Sequence, residues 1–61
     1  MSSRDRLVDL EVTLVHETPK AYLFDFELAE EVWIPKAACE YDHTDGTVAM
    51  KESYAIRKGV L

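Results

Sequence analysis

The side chains best able to do chemistry crowd into one stretch: Cys39, Glu40, Asp42, His43 and Asp45. Thiolate, imidazole and carboxylate are metal ligands, and a Cys with a His four residues later could act as nucleophile and base on a helix. Neither chemistry is completed. A structural zinc site needs four ligands, usually from paired Cys or His spacings, and here there is one Cys, with the other histidine, His16, far off in the chain. A calcium loop counted from Asp42 puts Ser53 where a bidentate Glu is required. Nothing supplies an oxyanion hole or a phosphate-binding loop, and the chain has only two glycines. The stretch reads as a polar loop and Cys39 as a buried or half-buried structural thiol. The expectation is a protein with no catalysis, no metal and no cofactor.

Binding chemistry is better represented. Lys20-Ala21-Tyr22-Leu23-Phe24-Asp25-Phe26 is similar to the aromatic strands on which some β-sheets stack nucleic-acid bases. It lacks the glycine of that pattern, and Glu27 stands where another aromatic is expected. A nucleic-acid-binding small β-barrel using Tyr22, Phe24, Lys20 and Lys36 is the alternative reading; core packing of these aromatics is the simpler one. The leading candidate is Trp33 together with Asp9, Glu11, Asp25, Glu27 and Glu31. A tryptophan among acids can anchor an Arg-rich partner by burial and cation–π contact. The competing explanation is that the C-terminal segment or a second copy of the chain covers Trp33.

Which of these holds depends on strand phase. From Val8 the residues alternate, with Val8, Leu10, Val12 and Leu14 on one side and Asp9, Glu11, Thr13 and Val15 on the other, the pattern of a half-buried strand. Glu17-Thr18-Pro19-Lys20 makes a turn. The second strand sets Tyr22, Phe24, Phe26 and Leu28 inward, and Leu23, Asp25 and Glu27 outward. After a short turn at Ala29-Glu30, Val32 and Ile34 take the core side of a third strand. Trp33 therefore falls outside with Glu31, and its expected neighbours across the sheet are Asp25 and Glu27.

Residues 37–45 are ambiguous in conformation, apart from the Asp45-Gly46 turn signal. Thr47 to Met50 reads as a fourth strand with Val48 and Met50 inward. Residues 52–61 read as a helix of two turns, capped by Gly59 in the left-handed conformation with Val60 folded back onto Ala55 or Tyr54. The expected fold is α+β and mainly β: a curled antiparallel meander of about four strands, an SH3-like open barrel, with a C-terminal helix. Acid meets acid on its outer face in either even register of the first hairpin, through Glu11 with Glu27 or with Asp25.

Sixty-one residues make one domain, 1–61, with 1–6 expected as a flexible N-terminus. So short a chain buries only about 60% of its unfolded surface, so its stability is marginal. A single Cys excludes an internal disulfide and suits a reducing compartment. No apolar run has a membrane-spanning length, and no signal peptide is visible, so a soluble, cytoplasmic protein is expected. Of the net charge of −5, the segment from Asp9 to Asp45 carries −8, with ten acids against Lys20 and Lys36. Such a balance disfavours direct nucleic-acid binding and favours either a basic protein partner or plain solubility.

Glu17-Thr18-x-Lys20-Ala21, Glu31-Val32-Trp33-Ile34-Pro35-Lys36, Gly46-Thr47-Val48 and a closing Lys58-Gly59-Val60 resemble a group of short phage and prophage proteins. The resemblance covers most of the chain from His16 onward, and the EVWIPK run is its most specific part. Ala37 stands where that group has a serine, and Ser53 where it has an aromatic. The resemblance implies phage origin and a host-cytoplasm location, and no activity. Small acidic phage proteins often act by occupying a host protein, as anti-CRISPR and anti-restriction inhibitors do.

Overall fold

Apolar and polar residues alternate along Leu7–Glu17, and this is the longest strand of the fold, β1. The computed structural model describes residues 6–61. Four more strands follow: β2 (Ala21–Phe26), β3 (Val32–Pro35), β4 (Glu40–Asp42) and β5 (Thr47–Lys51). A 3-10 turn, Lys36–Ala38, links β3 to β4, and the helix α1 (Glu52–Lys58) follows β5. All pairings are antiparallel, in the order β3-β2-β1-β5-β4, with β1 at the centre. The fold is thus α+β and mainly β, with five strands where about four were expected. The addition is β4, a three-residue strand inside the ambiguous segment, which pairs Tyr41 with Val48 and Asp42 with Thr47.

The core side follows the expected phase closely. Phe24, Ile34 and Val48 are wholly buried, and Phe26 and Met50 nearly so. Leu28 is the exception, at 70% exposure. The strand ends at Phe26, whose N–H donates to the Ala29 carbonyl at 2.8 Å, and the chain bends away through residues 27–31. Leu28 therefore leaves the core phase. The bend ends at Glu31 with φ 51°, a left-handed conformation uncommon for a non-glycine residue.

β1 carries a bulge. Leu14 is opposite Phe24, but His16 is opposite Leu23, so one extra residue lies between two successive pairs. Beyond it the phase of β1 is reversed, and His16 joins Leu23 on the outer face.

The turn into β2 is held by Thr18. Its N–H donates to the Ala21 carbonyl at 2.8 Å, while its Oγ1 accepts the Ala21 N–H at 3.0 Å. Tyr41 of the edge strand β4 meets Tyr22 and Phe24 of β2, with ring centroids 5.3 and 5.0 Å apart. Those contacts cross the inside of the sheet and require it to curl.

The helix is anchored at both ends. Glu52 N–H donates to the Arg6 carbonyl at 2.8 Å, and the Arg6 guanidinium lies 3.5 Å from the Glu52 carboxylate. Arg6 is therefore tied down, while the rest of the expected flexible N-terminus, residues 1–5, lies outside the described residues. At the other end Gly59 has φ 77°, its N–H reaches the Ile56 carbonyl, and the Val60 N–H reaches Ala55 at 3.1 Å. This is the Schellman pattern, and Val60 and Ala55 are both buried in the core.

Candidate partner-binding face

Antiparallel partners point to the same side of a sheet, so the register assigns the outer face row by row. The first row is Trp33 on β3, Leu23 on β2 and His16 on β1. Two residues further along the strands, Asp25 stands opposite Thr13. The next row holds Glu11, opposite Thr47, which is in turn opposite Asp42. Last come Asp9 and Glu40, both opposite Ala49.

Trp33 is on the outer face as expected, at 44% exposure. Its neighbours are not. Leu23, rather than Asp25 or Glu27, lies directly across from it, because β2 and β3 pair with Tyr22 opposite Ile34. The His16 ring meets Trp33 edge to face, with centroids 6.1 Å apart. Exposed Val15 sits in the bulge beside this row. Trp33 thus belongs to an apolar end of the face.

The acids gather toward the other end. Glu11, Asp25 and Glu27 line a shallow cleft of about 470 Å³, joined by Asp45 and Gly46 of the β4–β5 loop. With Thr13 opposite Asp25, the expected alignment of Glu11 with Asp25 does not occur; Glu27 lies just past the end of β2, outside the ladder, and shares only the cleft with Glu11. Asp9 lines a neighbouring cleft of about 600 Å³ with Glu40, Asp42, His43 and Asp45. Asp45 borders both. Among the described residues no Lys or Arg lines either cleft, and none forms an ion pair with these seven acids. Glu31 stands apart, exposed in the left-handed bend before β3 and outside any strand.

Three acids of this face, Glu40, Asp42 and Asp45, lay in the segment read as a polar loop. The short β4 and the loop fold back beside β5 and bring them in. Asp42 also shapes the loop: its Oδ1 accepts the N–H groups of Thr44 at 3.0 Å and Asp45 at 3.3 Å. Gly46, at φ 70°, closes the loop, and its carbonyl accepts the Val12 N–H at 3.0 Å. The three-residue β4 is too short to show an alternation, so these acids gave no sequence signal. His16 gave no such signal either, because a bulge leaves none in the alternation.

The remaining candidates are structural. Phe24 is wholly buried, so it cannot stack on a base, and Tyr22 is half-buried against Phe24 and Tyr41. The Lys36 ammonium pairs with the Glu17 carboxylate and lies 4.9 Å from the centre of the Tyr22 ring. Cys39 is half-buried against the core, its Sγ 3.6 Å from the Pro35 carbonyl, and burial pushes its thiol pKa up. That makes it a poorer nucleophile at neutral pH. Among the described residues no three His, Cys, Asp or Glu side chains are placed to hold a metal ion. No helix among them is long and apolar enough to cross a membrane.

Compared with protein-family models, curated proteins and solved structures, the chain gives no match.

Proposed function

We propose that this protein is a non-catalytic binding protein that occupies a basic surface on a host protein. The observation that carries the reading is the juxtaposition of two features on one sheet face. Clefts lined by acids, with no Lys or Arg among the described residues that line them, share the face with an exposed tryptophan at its apolar end. Carboxylates of this kind steer a basic partner and pair with its Arg and Lys side chains, while Trp33 supplies apolar area that becomes buried on binding. Neutral residues stand opposite these acids in the ladder, Thr13 to Asp25, Thr47 to Glu11 and Ala49 to Asp9, so the carboxylates share the face without being paired against one another.

The resemblance to phage proteins adds the setting: a phage-encoded protein in the host cytoplasm, acting as an inhibitor of a host defence system of the anti-CRISPR or anti-restriction kind. The curl that brings Tyr41 onto Tyr22 and Phe24 supports an SH3-like open barrel as its scaffold. Direct nucleic-acid binding is disfavoured by the burial of Phe24 and by the engagement of Lys36 with Glu17.

The test is affinity capture from a bacterial lysate with wild type, Trp33→Ala and Glu11→Gln/Glu27→Gln as baits. A protein with a basic surface should be retained by wild type, released by salt and depleted on both variants. Equal retention by all three baits would leave the acidic face with solubility as its only role.

A further inference from the structure

The rows of the outer face run in one direction, and this has a consequence for what can dock there. Trp33 is not ringed by acids. The apolar row of Trp33, Leu23 and His16 is at one end, Asp25 comes two residues on, and Glu11 with Glu27 two residues beyond that. Successive rows are therefore about 7 Å apart along the strands. The sheet meets a partner here with side chains, because its backbone groups are turned sideways into the ladder.

A helix laid along β1 and β2 rises about 1.5 Å per residue, so one row corresponds to four or five helical residues. We infer that the face accepts an amphipathic basic helix anchored at one end. An apolar residue at position i would sit on Trp33 and Leu23. Arg or Lys at about i+4 would face Asp25, and at about i+8 would face Glu11 and Glu27. This occupant is fixed by charge complementarity and by the order of the rows. It rests on the reading of the face as a binding surface for a basic protein, and it adds the chemistry and the direction of the segment bound.

Two Ala-rich synthetic peptides of equal composition test it. In one, Leu precedes Arg residues at i+4, i+8 and i+12; in the other, the same Leu sits midway among the same Arg residues. Affinities for the full chain are measured by calorimetry at low and moderate salt. The end-anchored peptide should bind about tenfold more tightly, equivalent to about 1.4 kcal/mol, and Trp33→Ala should erase the difference. Asp25→Asn/Glu27→Gln should weaken both peptides. Equal or tighter binding of the centre-anchored peptide, still sensitive to salt and to Trp33→Ala, would overturn the directional inference and leave the binding face standing. Binding of both peptides that is indifferent to salt and to Trp33→Ala, or no binding at all, would overturn both.

Discussion

His16 and Trp33 meet edge to face at 6.1 Å although a whole strand, β2, lies between theirs. Their rings flank Leu23, which is why an outward leucine is only half-exposed. The contact exists because the bulge in β1 moves His16 onto the outer face. It makes the apolar end of that face a small built surface rather than one stray tryptophan.

Folding should be indifferent to this surface and sensitive to the core. Phe24→Ala removes a fully buried ring at a cost of about 3–5 kcal/mol, enough to unfold so small a domain. Trp33→Ala leaves no core cavity and should melt cooperatively within a few degrees of wild type. Thermal denaturation of the two variants side by side checks the strand phase.

Backbone conformation offers a second check, with opposite signs at two positions. Glu31 holds φ 51° and Gly59 holds φ 77°. Glu31→Gly relieves a left-handed side chain and should stabilise by about 0.5–1 kcal/mol, whereas Gly59→Ala should destabilise by about 1 kcal/mol. For a domain of this size, about 1 kcal/mol moves the melting temperature by roughly 4–8 °C.

Much of this frame is legible in the sequence, for identifiable reasons. The alternation from Val8 to Leu14 and from Tyr22 to Phe26 can only be satisfied with one face buried. Lys58-Gly59-Val60 also carries its own cap chemistry. Three features are not legible. A bulge at Val15 adds a residue without altering the composition of the strand. Leu28 continues the apolar alternation of β2, yet the chain has already turned. The three-residue β4 is too short to show a period, so the acids it delivers to the face could not be placed. The consequence for the site is specific: the alternation sets Trp33 outside, where the structure has it, but puts the acids nearer to it than the register does.

Thr18 closes the β1–β2 turn with its side chain. Thr18→Val keeps the shape and removes the Oγ1 acceptor of the Ala21 N–H, so it should cost about 1 kcal/mol. Thr18→Ser should restore most of it. Urea denaturation of the three proteins would show the ranking.

The thiol gives a pH dependence whose sign is determined. Burial raises the Cys39 pKa above its ordinary 9.0, so the unfolded chain loses the thiol proton first as pH rises. The folded state then binds more protons, and stability from this group falls between pH 9.0 and the higher folded value. Comparing wild type with Cys39→Ala across alkaline pH isolates that slope, which should be absent in the variant. Alkylation of Cys39 in the folded protein should likewise remain slow until pH exceeds 9.0.

Trp33 is the only tryptophan, so it reports directly on the claim that matters most. A titration of the protein with the end-anchored Arg peptide, followed by intrinsic emission, reads the proposed anchor itself. The account predicts a saturable blue shift as the half-exposed indole loses water, with an apparent affinity that falls as salt rises. Emission that stays unchanged through saturating peptide, at low salt as at high, would contradict it.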